Sequence, residues 1–172
     1  MAASEDQPEI AQLLIDKGAK VNFVNSQGWT ALTEAADEGA LATAKVLLNA
    51  GADAHLRIKN DASPIRMAAS EGHTQILQLL IDKGAKLSTI TEGQLPLHSA
   101  AEEGQLEVVK MLLGMNADLS QVDESGRTAL VYAAEEGQLS VVQFLIEKGA
   151  KVNQQDKQGR TALSYAAGER QT

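Results

Sequence analysis

Three histidines and two adjacent pairs of carboxylates are the residues of this sequence whose types could do chemistry. His55, His73 and His98 are candidate zinc ligands, and Glu102-Glu103 and Glu135-Glu136 are candidate acid–base pairs. Their spacing argues against both roles. No two histidines lie four apart on one helical face, and there is no cysteine, so a zinc site would need three distant imidazoles to converge. Neighbouring residues on a helix point about 100° apart, so neither Glu pair faces one reacting bond together. Phosphate-cradling glycine loops and a Gly-x-Ser-x-Gly elbow are absent. We therefore assign no catalytic, cofactor-binding or metal-binding residue, and expect no enzyme activity of the chain by itself.

Composition restricts the partners. The 172 residues are 44% hydrophobic and 22% charged, which is ordinary for a folded protein and too apolar for a disordered one. Aromatics make up only 3%, so the core must be built from thin layers of Ala, Leu, Ile and Val. The net charge of -8, with a pI near 4.9, repels phosphate backbones and anionic lipid. Nucleic acid and membrane are excluded as expected partners; a basic protein fits better. No stretch approaches the roughly 20 apolar residues of a membrane span, and Met1 to Asp6 lack the features of a secretory signal. With zero cysteines, this predicts a cytoplasmic location, the nucleus included as an alternative.

The elements that position these residues repeat. Ala-Ala recurs at Ala35-Ala36, Ala68-Ala69, Ala100-Ala101, Ala133-Ala134 and Ala166-Ala167, in steps of 33, 32, 33 and 33. Gly39, Gly72, Gly104 and Gly137 follow the first four pairs. Gly-Ala recurs at Gly18, Gly51, Gly84 and Gly149, with Asn116-Ala117 replacing it once; Asn is the other residue that tolerates a left-handed helix cap. The short step falls between Gly84 and Gly93 and belongs to a loop. In one unit, Asp123 to Gly126 reads as a turn, Thr128 to Glu136 as a short helix, and Leu139 to Lys148 as a second helix with Leu139, Val142, Leu145 and Ile146 on one face. Such helices are marginal alone and must bury their faces against neighbouring copies. The small Ala-Ala pair lets first helices approach closely, and a Leu there should overpack the stack at a cost of roughly 1–3 kcal/mol.

The 33-residue period, the Thr-Ala-Leu-x-x-Ala-Ala-x-x-Gly run from Thr128 to Gly137 and the Gly149-Ala150-Lys151-Val152-Asn153 ending resemble ankyrin repeats. The second and third units keep the family's proline as Pro64 and Pro96, and the third keeps its Pro-Leu-His as Pro96-Leu97-His98. The resemblance spans about Asp6 to Ala167. It implies an all-α solenoid of helix-turn-helix units joined by β-hairpin-like loops. We divide the chain as one domain, 1-172, with a half repeat at 6-25, repeats at 26-58, 59-90, 91-123 and 124-156, and a half repeat at 157-172. Ala31, Ala129 and Ala162 replace the usual proline, Asp61 a turn glycine, and Leu95 the usual threonine, so the second hairpin should be less regular. The resemblance makes His98 and His73 framework residues, and His55 fills a hairpin slot held elsewhere by Asn. Asp6 and Glu9 are spaced as a capping box for the first half repeat's helix. Polar residues there, and in the last half repeat, could act as caps; otherwise the units continue in a longer array or lean on a partner.

In that family, partners meet the hairpin tips and the exposed side of each first helix. The two positions before each helix-ending glycine hold Asp37, Glu38; Ser70, Glu71; Glu102, Glu103; Glu135, Glu136; and, in the last half repeat, Gly168, Glu169. Eight of the ten are acidic, and the 23 acids of the chain less these eight leave 15 against 15 Lys and Arg. Acids at a helix C-terminus oppose the macrodipole by roughly 0.3–1 kcal/mol each, whereas Lys17, Lys83 and Lys148 sit favourably at the ends of second helices. A stripe that steers a basic partner and a merely solubilising face both fit. The tip position holds Trp29, Ala62, Gln94, Arg127 and Arg160, and Trp and Arg are frequent binding hot spots. The alternative for Trp29 is packing on its own half repeat. Tyr132 and Tyr165, just before Ala-Ala pairs, read as packing residues between units.

The expected function is protein–protein interaction: a module binding a partner protein, basic if the stripe acts, through Trp29, Asp37, Glu38, Glu71, Glu102, Glu103, Arg127, Glu135, Glu136 and Arg160. The alternative is a structural or regulatory segment of a larger protein, such as a scaffold or host-directed effector, without activity of its own. A monomer is expected, with end-to-end association through the cut repeats as the alternative, and no cofactor. Asn22 and Asn153, each eight residues after a leucine, resemble family sites of asparaginyl hydroxylation.

Overall fold

A computed structural model describes residues 6–55, 63–87 and 95–168. The irregularity expected for the second hairpin, the short step between Gly84 and Gly93, and the tip residues Ala62 and Gln94 lie outside them. Ten helices occur among the described residues: α1 (Pro8–Asp16), α2 (Ala31–Asp37), α3 (Leu41–Asn49), α4 (Pro64–Ser70), α5 (Thr74–Asp82), α6 (Pro96–Glu102), α7 (Leu106–Gly114), α8 (Ala129–Glu135), α9 (Leu139–Glu147) and α10 (Ala162–Ala166). No strand occurs among those residues, as an all-helical repeat array requires.

Contacts divide the chain into two compact units, 1–86 and 87–172. In the first, α2 packs on α4, α1 on α3 and α3 on α5, while α2 with α3 and α4 with α5 form the helix pairs. The second repeats this plan: α6 packs on α8 and α8 on α10, α7 lies beside α9, and α6 with α7 and α8 with α9 are the pairs. Each unit is thus a layer of first helices backed by a layer of second helices. Close approach within the first layer rests on alanine. Ala36, Ala68, Ala69, Ala100, Ala101 and Ala133 are fully buried, whereas Ala166 and Ala167 are exposed.

The second helices stop by one device. In α9 the chain turns at Gly149 with φ 95°, which lets the Ala150 N–H reach the Leu145 carbonyl at 2.9 Å. The same bond closes α7 with Asn116 at the turn, φ 62°, the one positive-φ non-glycine residue among those described, and Ala117 N–H bonding Leu112 O at 3.0 Å. The expected left-handed asparagine cap is there.

The first half repeat corrects one expectation. Asp6 and Glu9 form no capping box: α1 begins at Pro8, which has no N–H to satisfy, and no side chain caps it. Asp6 instead caps α3. Its carboxylate accepts the N–H of Ala42 at 2.7 Å and of Thr43 at 2.8 Å, and the Thr43 hydroxyl at 2.6 Å. The N-cap of α3 is Ala40, whose methyl accepts nothing, so those amides needed an acceptor from another segment.

Candidate partner-binding surface

The acidic positions fall where the first helices end. In the first unit, Asp37 closes α2 and Glu38 is its C-cap, while Ser70 closes α4 and Glu71 is its C-cap. In the second unit, Glu102 and Glu103 end α6, and Glu135 and Glu136 end α8. The first member of each pair is half-buried and the C-cap residue is exposed. Packing of α2 on α4, and of α6 on α8, brings the pairs of each unit side by side. Gly168 is exposed, and Glu169 lies outside the described residues. The macrodipole penalty at these C-termini is met by a nearby helix start, since Ala40, the N-cap of α3, stands two residues after Glu38.

Asp37 is perturbed by its surroundings. Partial burial pushes its carboxyl above the usual carboxylate range, and Glu38 and Glu34 push it the same way; His73 and Arg66 offset part of this. His73 also ties the layer together, with Nε2 2.9 Å from the Asp37 carbonyl. Gln138 repeats that link in the second unit, donating from Nε2 to Glu102 O at 2.9 Å. These bonds satisfy carbonyls at the ends of first helices, which explains a polar residue just after the helix-ending glycine. A Cβ on Gly39 would lie 2.7 Å from the His73 ring, so that glycine also makes room for the imidazole.

Arg127 and Arg160 are half-buried and turn toward their own repeats. Arg127 Nε donates to Asp123 at 3.0 Å, Nη1 lies 3.4 Å from Glu135, Nη2 bonds the Tyr132 hydroxyl, and the guanidinium stacks 4.3 Å from the Tyr132 ring centroid. Glu135, an acidic position, is therefore ion-paired within the chain. The arrangement recurs at Arg160, with Asp156 at 3.0 Å and the Tyr165 ring at 4.5 Å. Both tyrosine hydroxyls donate to the aspartate at 2.8 Å. Burial alone would raise the Asp123 and Asp156 carboxyls, but hydrogen bonds from backbone N–H, tyrosine and guanidinium outweigh it and hold both below the usual range. The Asp-x-x-Gly-Arg-x4-Tyr spacing, visible at 123–132 and 156–165, was the signal for this network; reading the arginines only as tip residues misses it.

Trp29 is half-buried, and its N–H donates to Asn25 Oδ1 at 2.8 Å, as the Arg127 N–H does to Asp123 Oδ1. The tips are tight turns, closed by Asn25 N–H to Trp29 O at 2.9 Å and Asp123 N–H to Arg127 O at 3.0 Å. Lys157 N–H to Ser125 O, at 2.9 Å, joins consecutive tips of the second unit. The Asn22 amide spans two loops, donating to Gly51 O at 3.0 Å and accepting from Asp53 N at 2.8 Å.

The histidines do different structural jobs. His98 is fully buried, stacks on Tyr132 at 5.3 Å between centroids and has Nε2 3.1 Å from Gln121 O. His55 is exposed at a turn. Among the described residues no three His, Cys, Asp or Glu side chains are grouped to hold a metal ion, and no helix is long and apolar enough to cross a membrane.

The sequence profile of ankyrin repeats, three copies, matches residues 1–58, 50–123 and 115–172. Human ankyrin repeat and SOCS box protein 3 is 32% identical over 94 residues, covering 53% of this chain and 18% of that protein. Rat ankyrin repeat and SAM domain-containing protein 6 is 40% identical over 83 residues, covering 46% and 9%. The mouse fem-1 homolog A-like protein is 33% identical over 91 residues, covering 51% and 13%. The chain thus spans less than a fifth of each of these relatives. The crystal structure of the human ASB11 ankyrin repeat domain superposes with a TM-score of 0.87 at 29% identity, over 96% of this chain and 75% of that one.

Proposed function

The chain belongs to the ankyrin-repeat family, a general protein–protein interaction fold, and from that premise we propose that it binds a basic partner protein through the acidic C-termini of its first helices. Glu38 and Glu71 in the first unit, and Glu103 and Glu136 in the second, are the primary contacts. The observation that carries this reading is the packing of α2 on α4 and of α6 on α8, which sets exposed Glu38 and Glu71, and exposed Glu103 and Glu136, side by side at the ends of their helices. Like charges set close together gain from a cation placed between them, so an incoming Lys or Arg gains more there than at an isolated surface carboxylate. Trp29, at a tip ahead of α2, supplies an aromatic anchor. Arg127 and Arg160 act chiefly by holding the tips, and Glu135 contributes less than Glu136 because Arg127 pairs with it. The reading includes no nucleic-acid or membrane partner, an intracellular setting and no catalysis.

The test is fluorescence anisotropy with labelled Lys/Arg-rich peptides, and with an acidic peptide as control, at low and high salt. Binding should be confined to basic peptides, weaken with salt and fall at least tenfold in Glu38→Lys/Glu71→Lys and in Glu103→Lys/Glu136→Lys. Affinity indifferent to all four reversals would end this reading.

A second reading is favoured by the small share of its relatives that the chain spans: a structural or regulatory segment of a longer protein, where the repeats position other domains. Loss of a longer parent's activity on deleting these repeats, with Glu38→Lys/Glu71→Lys and Glu103→Lys/Glu136→Lys harmless, would select it.

A further inference from the structure

The second helices carry a residue that the repeat does not call for. Helix α7 ends on Gly114, where α3, α5 and α9 end on Asn49, Asp82 and Glu147. Neither backbone nor packing asks for a glycine at this place. Gly114 is not among the positive-φ glycines, and a Cβ added to it would meet no atom of the described residues within 4 Å. The missing side chain leaves a groove of about 510 Å³ in the second unit, between α7 and α9, lined by Lys110, Leu113, Gly114, Leu119, Phe144 and Lys148.

The first unit shows what a side chain does there. Lys83, the C-cap of α5, donates from Nζ to Asn49 Oδ1 at 3.4 Å, so the residue that ends α3 occupies the lysine of the next second helix. In the second unit Lys148 is the C-cap of α9, and Gly114 offers it no acceptor. Lys148 forms no ion pair among the described residues. Its Nζ stands 5.3 Å from the Phe144 ring centroid, and Lys110 Nζ stands 6.0 Å from the same centroid. Phe144 takes the place held by Val46, Leu79 and Met111 in α3, α5 and α7. Leu113 is half-buried where its counterpart Leu48 is buried, and Leu119 and Phe144 are half-buried beside it. One ring and two leucines thus form an open apolar floor. Two ammonium groups stand at its rim, in a chain whose net charge is -8.

We propose that this groove docks an acidic segment of a partner protein, with one apolar side chain of the segment on Phe144, Leu113 and Leu119 and its carboxylates on Lys110 and Lys148. Charge complementarity chooses this occupant, since a basic segment would bring like charges onto both lysines. The acidic positions do not cancel the field. Glu103 and Glu136 stand just ahead of α7 and α9, whereas the groove lies at the far ends of those helices. The nine residues of α7, at about 1.5 Å each, set them roughly 13 Å apart, beyond the Debye length of about 8 Å at physiological salt. The carboxylate already on Lys110 is exposed Glu107 at 2.7 Å, which an incoming acid displaces. This surface shares no residue with the proposed basic-partner site, so the two readings fail separately.

The test is fluorescence anisotropy of the 172-residue chain with a short labelled peptide of Asp and Glu around a central Leu-Phe pair. One reference peptide has Ser-Ser at its centre, and another has Lys in place of every acid. The first peptide should bind this groove, and the Ser-Ser peptide about tenfold more weakly, because charge alone does not hold it. Gly114→Asn, which restores the link seen between Asn49 and Lys83, and Lys148→Glu should each weaken binding of the first peptide about tenfold. Gly114→Ala, whose methyl meets open space, should stay within about twofold of the parent. Binding of the Lys peptide should be indifferent to Gly114→Asn, and Glu103→Lys/Glu136→Lys should leave the first peptide within about twofold. Gly114 and Lys148 are exposed, so folding should survive; if Lys148→Glu loses its helical circular dichroism, Lys148→Gln replaces it. No binding of the first peptide, equal binding of the Ser-Ser peptide, or one affinity for parent, Gly114→Ala and Gly114→Asn would each overturn the inference.

Discussion

Leu95 stands three residues ahead of His98, at the N-cap of α6, and offers the imidazole no hydroxyl. Thr30 stands in the same relation to Thr33: its Oγ1 accepts the Thr33 N–H at 3.1 Å and lies 2.9 Å from the Thr33 hydroxyl. With leucine in that place, His98 Nδ1 is buried without a hydrogen-bond partner and α6 has no side-chain cap. Leu95 is itself buried, so replacing it loses apolar contact whatever follows. Thr and Val have nearly the same shape and isolate the hydroxyl. Leu95→Thr should be more stable than Leu95→Val by about 2 kcal/mol, the sum of a helix cap and a rescued buried acceptor. Urea unfolding of the pair measures it; equal midpoints would mean that Nδ1 is not short of a partner.

His98 should also make stability depend on pH. Burial pushes its pKa below the ordinary 6.5, the Gln121 carbonyl and Asp123 offset part of that, and Arg127 adds to it. The unfolded chain therefore binds a proton at this residue before the folded one does. The stability tied to neutral His98 is complete above pH 6.5 and is lost as pH falls through 6.5 toward the lowered folded value. Denaturant midpoints measured from pH 8 to pH 5 should fall in the acidic half of that range. In His98→Gln the fall should be shallower; an identical slope would assign the titration elsewhere.

Asp156 holds the last tip together more firmly than its place on a turn suggests. Its side chain is completely buried; it accepts N–H bonds from Gln158 and Arg160, the Arg160 guanidinium at 3.0 Å and the Tyr165 hydroxyl at 2.8 Å. Asp156→Ala leaves those donors unmatched beside a partly buried cation and should cost about 3 kcal/mol. Tyr165→Phe removes one hydrogen bond and keeps the ring under Arg160, and should cost about 1 kcal/mol. Equilibrium unfolding compares them, and a smaller loss for the alanine than for the phenylalanine would contradict the network.

The layers were legible because one signal recurs. Regularly spaced Ala-Ala pairs forced first helices to stack, and Asn116 in a glycine's place marked a left-handed cap. What escaped was direction. Nothing local tells whether Arg127 points to solvent or folds back over Tyr132, and that depends on Asp123 being drawn inward by the turn it caps. The repeat also does not tell which copies of a position find a neighbour: Ala101 is fully buried while Ala167, at the same position two repeats on, is exposed. Overpacking should follow burial, so Ala101→Leu costs roughly 1–3 kcal/mol where Ala167→Leu does little.

Asp6 shows most directly how tertiary proximity overrides a local pattern. A carboxylate with a Glu three residues on reads as a capping box, yet its acceptors serve a helix 36 residues away. The amides of Ala42 and Thr43 sit at the positive end of α3, where a carboxylate gains from the macrodipole as well as from hydrogen bonds. These bonds hold the Asp6 carboxyl below its ordinary pKa although partial burial opposes them. The stability it contributes is thus present above about pH 3.8 and is lost as pH falls through the lowered value. Asp6→Ala should cost about 1 kcal/mol at neutral pH, and Glu9→Ala within about 0.5 kcal/mol of nothing. Hydrogen exchange separates this from a general loss, because protection should drop first at the Ala42 and Thr43 amides. If Glu9→Ala proves the more damaging of the two, or those amides keep their protection without Asp6, the carboxylate caps α1 after all and α3 begins uncapped.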